Sequence, residues 1–140
     1  MAGDFRIVKS LVGDTYEIKY GTADEALEEG DICNLDASGE LEKVGNDADE
    51  QDLVIVLADA EADETGVPYV WLDPWIEIEG TYTAAGTLGD PGDLLKVDVT
   101  SNVITMEAAT AALGRFMLRE IVDTTNETIR VTRITGAGLS

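Results

Sequence analysis

The pattern that most limits the fold of this chain is a succession of short apolar runs interrupted by turn residues. The clearest run is LVIVLA at 53–58, and its unbroken apolar character predicts a strand that is buried on both faces. Other runs, rich in Val, Ile, Thr and Tyr, are bounded by Gly, Asp, Asn and Pro. Together they predict about nine or ten short antiparallel strands and an all-β fold, either a compact β-barrel or a sandwich.

Two of these strand pairs are predicted as hairpins. ICNL at 32–35 and ELEKV at 40–44 flank the turn DASG at 36–39, whose aspartate, serine and glycine favour a tight connection. Near the C-terminus, RFMLREIV at 115–122 and TIRVTRIT at 128–135 predict a last hairpin around the turn TTNE.

The N-terminal region allows two interpretations. Residues 1–20 are predicted as an N-terminal extended arm or as the first strands, ahead of a β-barrel domain over 21–140. FRIVKSLV at 5–12 is apolar on both faces, whereas YEIKY at 16–20 alternates, with Tyr16, Ile18 and Tyr20 on one side. If the segment is an arm, deletion of residues 1–12 should leave the rest of the domain folded.

Charge excludes several classes of partner. The 140 residues include 29 Asp and Glu against 9 Lys and Arg, for a net charge of −20. Nucleic-acid binding and binding to anionic membranes both depend on clustered Lys and Arg, so neither nucleic acid nor a membrane is expected as a partner. No apolar run approaches the roughly 20 residues that span a bilayer. The N-terminus lacks the pattern of a signal peptide, so synthesis in the cytoplasm without Sec export is expected.

The acidity also bears on the salt in which the chain folds. Like charges on a small body oppose compaction at ordinary salt, but at 1 M salt the Debye length falls to about 3 Å and the repulsion is screened. A halophilic source is therefore favoured, with an acidic mesophilic protein as the alternative.

The residues needed for familiar catalysis are largely missing. The chain has no His, the usual proton shuttle and commonest metal ligand, and a lone Cys33 can form neither an intrachain disulfide nor a paired-thiolate metal site. The stretch NDADEQD at 46–52 lacks the glycine and glutamate of an EF-hand loop. We favour a hydrated loop for this stretch; the alternative is a looser calcium site formed by its aspartates. We expect no enzyme activity, no cofactor and no resident metal.

Three groups of residues are candidate contacts with a partner or a neighbouring subunit. Two tryptophans flank Asp73 and would serve either for sugar stacking or, as we favour, for packing in the core or an interface: Trp71 and Trp75. Four arginines on the last hairpin would face an acidic partner or pair within their own chain: Arg115, Arg119, Arg130 and Arg133. Apolar residues of the first segment would lie on a partner by β-addition or belong to a first strand: Phe5, Ile7, Val8 and Leu11.

The stretch GDICNLDASGELEKV at 30–44 resembles the small capsid decoration, or cement, proteins of tailed viruses. It shares with them a Gly-Asp step, a short apolar strand, an Asp-x-x-Gly turn and a second strand ending near a Lys. TLGDPGDLLKVDV at 87–99 and LGRFMLREIVDTTNETIRV at 113–131 are similar to their later strands and closing hairpin. The resemblance covers most of residues 30–135 and lies in turn chemistry rather than in a catalytic signature.

The resemblance implies a structural virion protein on the outer capsid surface. Such a protein decorates and stabilises an icosahedral capsid by binding between major capsid protein subunits, and it acts as a homo-oligomer, expected here as a trimer. Together with the acidic composition, it implies a tailed virus of a salt-loving archaeon. The alternatives are a carbohydrate- or host-surface-binding β-module and another head or tail accessory protein.

Overall fold

The computed structural model describes residues 5–10, 16–36, 38–44, 53–73, 75–82, 90–100, 103–108, 116–125 and 127–134. Within these ranges there is no helix, so the all-β prediction is confirmed. The strands are β1 Arg6–Ser10, β2 Lys19–Gly21, β3 Ile32–Leu35, β4 Leu41–Lys43, β5 Leu53–Val56, β6 Val67–Trp71, β7 Ile76–Thr81, β8 Leu94–Thr100, β9 Val103–Ala108, β10 Phe116–Asp123 and β11 Thr128–Arg133. Leu11, Arg115 and the acidic stretch 46–52 lie outside the described residues.

The strands form two separate sheets. A six-stranded sheet has the order β1-β7-β11-β10-β8-β9, and a five-stranded sheet has the order β2-β6-β5-β3-β4. One buried cluster draws on both, including Ile55 and Val70 from the smaller sheet and Ile78, Phe116 and Ile129 from the larger. The sheets therefore pack face to face around a shared core, as in a sandwich. The barrel alternative is wrong: over the described residues the two sheets are not closed into a barrel, although isolated bridges join Ala23 to Leu41 and Tyr82 to Met106.

Strand β5 is the centre of the smaller sheet, as its apolar run predicts. All four of its side chains are buried. Leu53 and Ile55 belong to the core between the sheets, while Val54 and Val56 belong to a second cluster on the opposite face. That opposite face is covered by the loops 22–31 and 57–66, which contribute Ala23, Leu27 and Ala60 to the cluster. The prediction of a strand buried on both faces is confirmed.

The hairpin of β3 and β4 forms through the predicted turn chemistry. The Asp36 Oδ1 atom accepts hydrogen bonds from the backbone N–H groups of Ser38 at 2.8 Å and Glu40 at 2.9 Å. Gly39 has φ of 80°, a conformation that a side chain disfavours. The last hairpin is also present, with β10 and β11 paired antiparallel across the centre of the larger sheet.

The described part of residues 1–20 contributes an edge strand to each sheet. β1 pairs antiparallel with β7, and β2 pairs antiparallel with β6. Phe5, just before β1, is only 3% exposed. Its ring lies over Gly80, where an added Cβ would overlap the ring atoms Cδ1 and Cε1. Phe5 therefore packs in its own core and is not available to a partner, so deletion of residues 1–12 should damage the fold.

Candidate functional site

An aromatic groove lies where the chain crosses from the smaller sheet to the larger. β6 ends at Trp71, β7 begins at Ile76, and the connection turns through a hydrogen bond from the Ile76 N–H to the Asp73 carbonyl at 3.0 Å. A cavity of about 220 Å³ opens beside this crossover. It is lined by Tyr16, Glu17, Val70, Trp71, Asp73, Trp75 and Ile76, which we call the aromatic groove.

The walls of the groove differ in their burial. Trp71 is half-buried and packs edge-on against Tyr69, with ring centroids 6.5 Å apart and planes at 72°. Tyr69 is itself only 8% exposed, so Trp71 has a fixed neighbour. Trp75 and Tyr16 are 42% and 39% exposed. The groove thus combines one supported ring with two rings that solvent reaches.

The aromatic groove continues into an exposed apolar row on residues 16–20, the segment that leads into β2 and includes its first residues. Tyr16, Ile18 and Tyr20 occupy alternate positions and are 39%, 43% and 68% exposed. Such alternation usually marks a strand with one buried face, but β2 is the outermost strand of its sheet. In the described part of the chain, these three and Trp75 are four of the five large apolar residues that are exposed, the fifth being Val122. We call residues 16–20 the β2 edge; an edge strand with a contiguous apolar row is typical of an interaction surface.

Two carboxylates border the aromatic groove. Glu17 and Asp73 are among its lining residues. Glu17 Oε1 accepts a charged hydrogen bond from Lys19 Nζ at 3.0 Å, and the two side chains are 75% and 43% exposed. An ion pair this exposed contributes at most about 1 kcal/mol. Glu17 can therefore exchange Lys19 for another cationic group at little cost. The chemistry of the groove is therefore aromatic walls with an acidic rim.

Two of the described arginines of the last hairpin, Arg119 and Arg130, donate hydrogen bonds to their own chain. Arg130 Nε donates to Glu79 Oε1 at 3.1 Å, and Arg6 Nη2 donates to Glu79 Oε2 at 2.7 Å. Burial alone would raise the pKa of the Glu79 carboxyl, but the bonds from the two arginines outweigh it and lower the pKa. Arg119 Nε donates to Thr132 Oγ1 at 2.9 Å, and Arg133 is 7% exposed. Of the two interpretations, pairing within the chain therefore describes Arg130.

Those predicted contact residues that the structure describes do not converge on one surface. Of these candidates, the structure brings together Trp71 and Trp75 in the aromatic groove. Ile7 is half-buried against the core between the sheets, and Val8 lies in β1 where the pairing register with β7 shifts. The β2 edge was not among the predicted contacts, although the alternation in YEIKY is the signal in the sequence that points to it.

The one cysteine of the chain is buried in the smaller sheet. Burial is the main cause that raises the pKa of the Cys33 thiol, which leaves it protonated and unreactive near neutral pH.

In the described residues, one acidic cluster brings carboxylate oxygens within 4.8 Å of one another, formed by Asp24, Asp36 and Glu40. Desolvation, followed by the charges of Asp36 and Asp24, raises the pKa of Glu40. Asp36 Oδ1 already accepts the turn amides of Ser38 and Glu40, so this carboxylate has a structural role in the hairpin turn. We assign no metal to the cluster.

Comparison with known protein families gave no match, and comparison with curated proteins gave none. Over the described ranges, the chain contains no helix that is long and apolar enough to cross a membrane. Any statement of function therefore depends on the geometry of the aromatic groove and the β2 edge, and on the resemblance in turn chemistry.

Proposed function

We propose that this chain is a structural virion protein that decorates an icosahedral capsid on its outer surface, binding between major capsid protein subunits. The observation that supports the proposal most is the exposed apolar row of the β2 edge, continuous with the aromatic groove, on a molecule with a net charge of −20. A strongly charged chain that still exposes four large apolar residues at one edge has a surface suited to a protein partner.

The activity we propose is binding alone. A protein that binds the assembled shell but not its free subunits stabilises the shell by mass action, without turnover. Repetition around the symmetry axes of the shell, and a trimeric state of the protein itself, would raise the effective concentration of each contact. The remaining surface, rich in Asp and Glu, would face the surrounding salt solution.

The β3–β4 hairpin supports the same proposal. Its turn contains the Asp-x-x-Gly step on which the resemblance to decoration proteins rests, with Asp36 accepting two backbone amides and Gly39 at φ of 80°. This turn is a feature of the fold, so it supports the resemblance to decoration proteins but does not indicate where a partner binds. The aromatic groove and the β2 edge support the binding role.

Co-sedimentation of the purified protein with assembled shells of the source virus tests the proposal. Ile18→Ala should lower the shell-bound fraction about tenfold or more, since central apolar contacts dominate interfaces. Val122→Ala is the matched control, because Val122 is 41% exposed against 43% for Ile18 but lies on β10. Electron cryomicroscopy of the particles should place the protein on the outer shell. Equal binding by both variants, or absence of the protein from the shell in purified particles, would contradict the proposal.

A second candidate function is a carbohydrate- or host-surface-binding module. It is favoured by the rings of Trp71, Trp75 and Tyr16, which line one cavity and would stack on sugar faces. A glycan array separates this candidate from the first, because a structural decoration protein needs no glycan ligand. A protein located at the portal or tail would instead indicate another head or tail accessory role.

A further inference from the structure

The aromatic groove combines two features that recognise the same kind of ligand. Three aromatic side chains line it, Tyr16, Trp71 and Trp75, and two carboxylates border it, Glu17 and Asp73. Aromatic faces attract cations through their quadrupole, and Trp is the strongest of the three side-chain types that do so. Carboxylates add direct charge attraction and accept hydrogen bonds from guanidinium or ammonium groups. We infer that the aromatic groove binds a cationic side chain, an arginine or lysine, of the protein partner.

Charge decides against anionic ligands, and the titration described below separates a cation from a neutral sugar. An anionic ligand in the groove would meet the carboxylates of Glu17 and Asp73 at contact distance, where salt screens least, and at low salt it would also be repelled by the net charge of −20. The rim already engages a cation of its own chain, since Lys19 Nζ lies 3.0 Å from Glu17 Oε1. The Glu17 side chain is 75% exposed and that of Lys19 43%, so solvent reaches the pair and an incoming arginine can replace Lys19 at small cost.

The position of the groove indicates the form in which the cation arrives. Tyr16 and Glu17 belong both to the groove and to the β2 edge. In the described sheet no strand pairs with the outer side of Lys19–Gly21, and the pairing with Leu41 of β4 begins only after it, at Thr22 and Asp24. An extended partner segment lying along the β2 edge would contact Ile18 and Tyr20 and bring a long basic side chain to the groove. The cavity, about 220 Å³, accommodates one such side chain rather than a folded element.

This inference rests on the proposed function for the source of the cation, which would be a capsid subunit. It can nevertheless be tested without any capsid. The chain has two tryptophans, and both line the aromatic groove, so intrinsic fluorescence reports on the groove directly.

The test is a fluorescence titration with a five-residue peptide, acetyl-TVRVT-amide, at constant ionic strength. Its control peptide carries citrulline, an uncharged analogue of nearly the same shape, in place of arginine. We expect the arginine peptide to shift the tryptophan emission saturably and the citrulline peptide to bind at least about fivefold more weakly. Equal binding of both peptides, or no saturable change with either, would overturn the inference. Saturation by neutral oligosaccharides but not by the arginine peptide would also overturn it, in favour of sugar stacking.

Variants identify the groups that hold the cation. Glu17→Gln and Asp73→Asn remove one charge each with little change in shape, and each should weaken binding of the arginine peptide about two- to fivefold. Glu29→Gln changes the net charge equally at an exposed position outside the groove and should leave the affinity unchanged. If Glu29→Gln weakens binding as much as the groove variants, the attraction is the general field of the molecule and the inference fails.

The two proposals fail in distinguishable ways. Shell binding that depends on Ile18, together with no preference for arginine over citrulline, would overturn the cation site and leave the decoration role standing. Selective arginine binding by a protein that does not bind shells would overturn the decoration role and leave the cation site standing.

Discussion

The packing of Phe5 on Gly80 determines whether the N-terminal segment is part of the fold, and it can be tested with a double-mutant cycle. Phe5 is 3% exposed. A buried aromatic side chain removes about 200 Å² from water, and at about 25 cal/mol per Å² this contributes about 5 kcal/mol. Residual compactness of the unfolded chain lowers the figure by roughly 10–40%. Phe5→Ala should therefore lower the free energy of unfolding by about 3–4 kcal/mol, as is typical of core Phe→Ala changes.

Gly80→Ala should disturb the same contact from the other side. An added Cβ would overlap Cδ1 and Cε1 of the Phe5 ring and lie 2.7 Å from its Cγ, so the ring must move. Overpacking of this kind costs about 1–3 kcal/mol. In a Phe5→Ala background the new methyl group enters vacated space, so Gly80→Ala should then cost close to nothing. The two changes should be non-additive by about 2 kcal/mol.

Urea denaturation in molar KCl, followed by tryptophan emission, measures all four proteins of the cycle. Tyr20→Ala is the control, because it also removes an aromatic ring but one that is 68% exposed, and it should cost less than about 1 kcal/mol. The reasoning is refuted if Phe5→Ala unfolds at the parental midpoint or if the cycle is additive. The N-terminal segment would then behave as a detachable arm, and deletion of residues 1–12 could be used to test whether that arm binds the shell.

Further outcomes concern charged groups and salt. Burial, the largest cause, raises the pKa of the Asp31 carboxyl despite its hydrogen bond from the Glu28 N–H, so Asp31→Asn should raise the free energy of unfolding at pH 7 by about 1 kcal/mol. That advantage should shrink as the pH falls through the raised pKa and vanish well below the ordinary value of 3.8, where Asp31 is neutral in both states; urea titrations that show an undiminished advantage in acid would contradict it. Arg6 and Arg130 lower the pKa of Glu79, so Glu79→Gln should cost about 1 kcal/mol at pH 7. The deficit should disappear as the pH falls through the lowered pKa, and a deficit that persists in acid would point to packing instead. Circular dichroism should show folding gained from low to molar KCl, whereas an indifferent spectrum counts against a halophilic origin.

Local patterns were enough to predict much of the fold. The DASG turn predicts the β3–β4 hairpin because its side-chain and glycine requirements are met within a few residues. The run LVIVLA predicts a doubly buried strand because no polar residue interrupts it, and Leu53–Val56 are all buried. The choice between barrel and sandwich was not predictable in this way, since closure depends on pairing between edge strands far apart in the chain.

The aromatic groove could not be predicted from the sequence, because it joins residues that are far apart in the chain. Trp71 and Trp75 are close in sequence, but Tyr16 joins them across more than 50 residues through the pairing of β2 with β6. The alternation in YEIKY predicts an apolar face, but not that the face stays uncovered, because that depends on β2 being an edge strand. Similarly, the sequence allows Phe5 to contact either a partner or its own core, and only the structure places its ring over Gly80.

The β2 edge carries both a binding surface and a safeguard against the wrong partner. Tyr16, Ile18 and Tyr20 expose an apolar row, while Glu17 and Lys19 alternate with them as charged residues, which natural edge strands use to prevent indiscriminate pairing. The carboxylates of Glu17 and Asp73 in the adjoining groove act oppositely on two kinds of partner. A partner strand that brings an arginine to the groove meets attraction, whereas one that brings a carboxylate meets repulsion. The charge pattern of the β2 edge and its groove therefore favours a basic partner segment over an acidic one.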